Sequence, residues 1–144
     1  MVKLMNKKII MICITLGSIF AFILYFLYKK NYEEIIIERV YMLQIGAYEN
    51  YDNVVKITKN LDNYLIKKED KYYKIIIGIT KNTENLEKLK EIYKDYNIYI
   101  KEEDITDDDF LNVLVKFDYL LNETNDEKII KAIQKEVINK YKEI

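Results

Sequence analysis

The chain has 144 residues, a formal net charge of −1, and no histidine, proline or tryptophan. Without histidine there is no Ser-His-Asp or Cys-His site and no imidazole-bound metal, and the single cysteine, Cys13, can form neither an intrachain disulfide nor a zinc motif. All 24 acidic residues follow residue 30, against 18 of the 23 basic ones, so that part lacks the basic footprint of a nucleic-acid binder.

Residues 9–28 are uncharged and almost wholly apolar. About 20 residues rising ~1.5 Å each cross the roughly 30 Å of a bilayer core, so a transmembrane helix is expected here. Tyr25 and Tyr28 fall near one end, where amphipathic rings sit at the interface. A cleaved signal peptide would have a shorter apolar region and small residues at its end. This stretch instead runs into Y-F-L-Y-K-K, which favours an uncleaved anchor. Lys3, Lys7 and Lys8 precede the span, while Lys29 and Lys30 follow it. By a small margin that bias places residues 1–8 in the cytoplasm and the remainder outside. Residues 29–39 read as a short connector.

A repeat follows. Residues 40–48, V-Y-M-L-Q-I-G-A-Y, predict a strand, 51–63 a helix and 64–68 a strand. Residues 72–79, Y-Y-K-I-I-I-G-I, then predict a strand, 84–96 a helix and 97–102 a strand. Gly46 aligns with Gly78 and Asn50 with Asn82, and the units end alike, in I-K-K-E-D and I-K-E-E-D. Gly46 reads as the turn from strand into helix. Asn50 and Thr83 are the expected helix caps. Two βαβ units joined at residues 69–71 predict an α+β fold, the ferredoxin-like βαββαβ, over residues 40–104. Its four-stranded antiparallel sheet would carry both helices on one face.

Strand alternation sorts the side chains. Leu43, Ile45, Ile75, Ile77, Ile98 and Ile100 would face the helices. Met42, Gln44, Tyr72, Lys74, Ile76, Tyr99 and Lys101 would face away. The outward set includes an amide, tyrosines and a lysine, a platform suited to an uncharged ligand such as a glycan, because rings stack on sugar faces and amides bridge hydroxyls. Any open sheet face must also be mixed in character simply to stay soluble. Gln44 has no counterpart in the second unit, where Ile76 stands, so duplication explains Gly46 but not Gln44.

After Asp104 the pattern changes. Thr106 and the acids Asp107, Asp108 and Asp109 read as a helix start, with Phe110, Leu114, Phe117 and Leu121 on one stripe. Thr124 to Glu127 reads as a capping box, opening a helix with Ile130, Ile133, Val137 and Tyr141 on one face. Residues 105–144 therefore predict a helical hairpin. Docking on the sheet or its helices as extra core is favoured over a free partner-binding surface. Docking on the open face would block the platform.

These residues resemble the SPOR (sporulation-related repeat) family of bacterial cell-wall-binding domains. Y-M-L-Q-I-G-A-Y is similar to the family's first strand, aromatic-x-x-Gln-x-Gly-small-aromatic. Y-Y-K-I-I-I-G-I is similar to its third, where an aromatic, a basic residue and a glycine recur. The resemblance covers residues 40–104. It implies a non-catalytic domain that binds peptidoglycan, preferring glycan strands stripped of stem peptides at division or sporulation septa, outside the membrane on a single N-terminal span. It implies that Gln44, Tyr72 and Lys74 contact the glycan, and the outward position of Tyr99 adds it to the set. Ala47 stands where serine is common, Lys74 lacks the planar fork of arginine, and Ile79 replaces a usual proline.

The alternative is a membrane-tethered interaction subunit of a division or sporulation complex, with a degenerate SPOR-like domain and C-terminal helices that recruit a septal protein. An enzyme is not expected. Glu102, Glu103 and Asp107 to Asp109 read as a solvated face and a cap, and nothing in the sequence indicates the cleft with two carboxylates at defined separation that glycosidase chemistry needs. No cofactor or metal is implied.

Overall fold

The computed structural model describes residues 7–31 and 37–144, with side chains over 11–27 and 37–144. Helix α1 (Lys7–Asn31) is one unit and Ile36–Ile144 is a second compact unit. In α1 the hydroxyls of Thr15 and Ser18 turn back onto the helix. Thr15 Oγ1 donates to the Met11 carbonyl at 3.0 Å and Ser18 Oγ to that of Ile14 at 2.9 Å. This is how such residues are accommodated in an apolar helix. Among the described residues no helix is long and apolar enough to cross a membrane. The transmembrane helix expected over residues 9–28 is therefore not supported by α1 as described. The flanking lysines, Tyr28 and most of the expected connector lie outside the residues whose side chains are described.

The second unit runs β1 (Glu38–Tyr48), α2 (Tyr51–Thr58), β2 (Leu65–Glu69), β3 (Tyr72–Thr80), α3 (Thr83–Ile92), β4 (Tyr99–Ile105), α4 (Asp108–Asn122) and α5 (Glu127–Tyr141). The sheet order is β2-β3-β1-β4, and every neighbouring pair is antiparallel. That is the order expected of two split βαβ units. Helix α2 stops five residues earlier than expected, because Asn60, Asp62 and Asn63 are turn formers. The second cap is Asn82, not Thr83. Its side chain accepts from Glu84 N and Asn85 N, with φ −99° and ψ 125°, almost the dihedrals of Asn50 (−99°, 124°). Asp126, rather than Thr124, caps α5.

Two register shifts interrupt the β1–β3 pairing. Leu43 pairs with Gly78 but Gln44 with Ile76, so Ile77 is the extra residue of a bulge in β3. Gln44 pairs with Ile76 but Ala47 with Lys74, so the second bulge lies in β1 at Ile45–Gly46. Gly46 has φ +137°, and a Cβ there would meet the Tyr48 ring carbons at 2.6 Å. Its glycine therefore serves a bulge inside the strand and not the turn into α2. Gly78 needs no positive φ. The bulge in β3 flips the alternation, so that Ile79 joins Met42 and Ile76 on the outer face.

The inner face packs as expected, with Leu43, Ile45, Ile75 and Ile77 against Val54 of α2 and Leu86 and Leu89 of α3. Ile98 packs at its margin. Ile100 is level with Leu43 but sits on the edge strand and stays 36% exposed. The outer face is not open. Val40, Met42, Ile76, Ile79 and Ile105 pack against Phe110, Leu111 and Leu114 of α4 and Val137 and Ile138 of α5. Leu121 and Ile130 reach the inner cluster, so the hairpin straddles the sheet edge.

Two buried polar side chains fix it there. β2 begins at Leu65, opposite Ile76, so β3 beyond that point lacks a strand neighbour on this side. Gln134 fills the role: its Oε1 accepts from Ile79 N at 2.8 Å and its Nε2 donates to Ile79 O at 3.2 Å. Asp118 accepts from the Thr80 hydroxyl, from Lys81 N at 2.9 Å and from Asn85 Nδ2 at 3.2 Å. Burial pushes the Asp118 carboxyl up, against the lowering effect of these donors. Fully buried apolar side chains contribute roughly 1.5–3 kcal/mol each. Leaving the strand residues of this face uncovered would therefore forfeit much of the burial that offsets chain entropy. The hairpin is part of the core, as the sequence favoured, and the face it covers is the outer one.

Replacing Gln134 with Ala is expected to lower stability by about 2–4 kcal/mol, since it leaves two buried backbone groups unpaired beside a cavity. A urea denaturation midpoint within error of the unsubstituted chain would contradict this.

Candidate functional site

The outer face has three zones. The first is the apolar ground under the hairpin. The second is a belt of charge that joins the two edge strands across the central ones. Lys67 of β2 meets Glu103 of β4 at 2.5 Å, and Glu69 of β2 is ion-paired with both Lys101 of β4 and Lys74 of β3. Lys101 also lies 3.2 Å from Glu103. Tyr141, near the end of α5, donates to Glu103 at 2.7 Å and accepts from Lys67 at 3.2 Å. The hydrogen bonds from Lys101 and Lys74 hold the Glu69 carboxyl at about 2, well below its ordinary 4.5. Glu103 pays a burial penalty that would raise it, but Lys67, Tyr141 and Lys101 together bring it below the usual range.

The third zone, where β1 runs past its last pairing with β4, is an open groove of about 480 Å³ at the sheet edge, lined by Gln44, Ile45, Gly46, Ala47, Tyr48, Asn97 and Tyr99, with Ile45 and Tyr48 reaching it from the inner cluster. Gln44 and Tyr99 are directly opposed across β1 and β4. Tyr99 is 55% exposed, and its hydroxyl accepts from Asn97 Nδ2 at 2.8 Å. The Tyr48 hydroxyl donates to Ile45 O at 3.2 Å across the bulge at Gly46. The Gln44 amide is half-buried and makes no hydrogen bond among the described residues, which leaves both its donor and its acceptor available.

Of the four residues expected at the site, the structure brings together Gln44 and Tyr99. Lys74 is committed to Glu69 in the charge belt. Tyr72 lies at the β2–β3 turn, 37% exposed, with the Lys71 ammonium 5.1 Å from its ring centre. Neither lines the groove. Asn97 and Tyr48 do line it and were not singled out in the sequence. Tyr48 carried a signal, as the aromatic two residues after the bulge glycine. Asn97, expected as the first residue of the last strand, lies instead in the loop before β4, which begins at Tyr99.

The sign of the Glu69 contribution follows from its lowered value. The contribution is complete above about pH 4.5 and is lost as pH falls toward about 2. Glu69→Gln is expected to be less stable near neutral pH and to show a flatter loss of urea midpoint over that acid window. A parallel acid profile would contradict the belt. No protein-family model matches the chain, and neither a curated protein nor a solved structure matches it.

Proposed function

We propose that the chain is a single-pass membrane protein whose outer unit binds denuded peptidoglycan glycan strands at a division or sporulation septum, without catalysing a reaction. The observation that carries this reading is the groove at Gln44 and Tyr99. It stays open while the rest of the face is closed by helices and ion pairs, and it offers an exposed ring beside an uncommitted amide. Such a pair suits a neutral sugar, which presents an apolar ring face and a rim of hydroxyls. Its volume falls within the roughly 300–1,000 Å³ usual for ligand sites. The strand order and the residues shared with the SPOR pattern support the same reading. The exposed apolar side chains of α1, continued by the uncharged sequence from 9 to 28, support a membrane anchor.

A second reading is favoured by the closure of the outer face. In it the domain has lost wall binding and serves as a membrane-tethered interaction subunit, using exposed hairpin residues such as Tyr119 and Leu120. Deleting residues 106–144 would not separate the two, because it strips the cover from Met42 and Ile76.

Residues 37–144 are expected to sediment with amidase-treated sacculi more than with intact ones. Gln44→Ala combined with Tyr99→Ala is expected to lower that affinity about tenfold, equivalent to roughly 1.4 kcal/mol, while Tyr72→Ala leaves it unchanged. Failure on both kinds of sacculi overturns wall binding. Septal recruitment of the full chain that survives the double substitution favours the second reading. The anchor has its own test: the full chain should stay in the membrane pellet after alkaline carbonate extraction, and its release would rule out a spanning helix.

A further inference from the structure

A second cleft lies away from the groove, where the loop after α2, the end of α3 and the start of α5 converge. Its volume is about 190 Å³, and its lining includes Asp62, Asn63, Tyr93, Asp95, Tyr96 and Glu127. Three carboxylates thus meet two phenol rings. Lys131, also on the wall, pairs with Glu127 at 2.5 Å and lies 5.9 Å from the centre of the Tyr93 ring. Asp62 and Asp95 are exposed and take part in no ion pair among the described residues; Lys94, which is near enough to interact with Asp95, is itself bonded to Glu91 at 2.8 Å. The carboxyl end of α3 adds the negative pole of its dipole. Tyr93 is only 6% exposed, yet it lines the cleft and its hydroxyl has no hydrogen-bond partner among the described residues. The buried Nδ2 of Asn63 also lacks one, and a half-turn of that amide would present its oxygen instead.

We propose that this cleft binds a primary alkylammonium group, carried on a small diamine or on a lysine side chain. Lys131 shows the kind of contact it makes: an ammonium against a carboxylate and a phenol face. The ligand's ammonium takes the opposite wall, between Asp62 and Asp95, and donates to the Tyr93 hydroxyl. The volume is below that of sites for larger ligands, roughly 300–1,000 Å³, and suits the end of an alkyl chain. The phenol faces of Tyr93 and Tyr96 and the narrow volume favour an alkylammonium, whose carbon stem packs on rings, over a bare metal ion.

The test is a titration of the full ¹⁵N-labelled chain in detergent micelles, followed by backbone amide shifts. The probes are 1,5-diaminopentane and Nα-acetyl-lysine amide, with the Nε-acetylated form of the latter as the neutral control. Both probes are expected to give saturable shifts at Asn60, Asn63 and Tyr96. Asp62→Asn with Asp95→Asn is expected to weaken binding about tenfold at low salt, with an unchanged urea midpoint. A response to the lysine amide alone also supports the site and identifies its ligand as peptide-borne. No saturable shift, an equal response to the acetylated control, an unaffected double variant, or a response to calcium without one to the amines overturns it.

Discussion

The two central strands are apolar on both sides, and the rest of the unit answers to that constraint. Leu43, Ile75 and Ile77 face α2 and α3, while Met42, Ile76 and Ile79 face the other way with equal need of cover. A two-layer βαββαβ sheet leaves its second face to solvent. This one cannot, and the C-terminal hairpin supplies a third layer over part of it. The charge belt completes the closure, because edge lysines and glutamates reach over the central strands where the helices do not.

Three polar residues interrupt apolar stretches in this sequence: Gln44 in β1, Asp118 in α4 and Gln134 in α5. As sequence signals they are alike, since each is a polar residue set among apolar ones. Their physical explanations differ. Gln134 satisfies the backbone of Ile79, and Asp118 satisfies Thr80, Lys81 and Asn85, so both complete an unfinished strand edge. Gln44 satisfies nothing among the described residues. A polar residue in an apolar stripe therefore marks an obligation, and only the structure says whether it is met internally. Gln44, whose obligation is unmet, is the one with capacity left for a ligand.

The strand order and both βαβ units were legible because the repeat constrained them twice. The repeat pointed to the right cap: aligning Asn50 with Asn82 selects Asn82, and intrinsic preference also ranks Asn above Thr, so both signals stood against Thr83. The closed outer face was legible in part. V-Y-M-L and I-I-I are continuous apolar runs, the mark of strands buried on both sides, yet strict alternation sorted them as half-exposed. The bulges were hidden. They are set by pairing between strands far apart in sequence, and Gly46 signals an unusual backbone without saying whether it belongs to a turn or to a strand.

Gln44 stands between those two bulges, with Ile77 the extra residue on one side and Ile45–Gly46 on the other. A bulge bends its strand and increases local twist. Two of them, in opposite strands and on either side of one residue, separate the part of β1 under the hairpin, at Val40 and Met42, from the part that lines the groove, at Gln44 to Tyr48. The glycines that first marked the repeat lie at these two irregularities. They do not mark equivalent turns. They frame the one position on the outer face of β1 where an amide remains half-buried, unbonded and beside an exposed tyrosine.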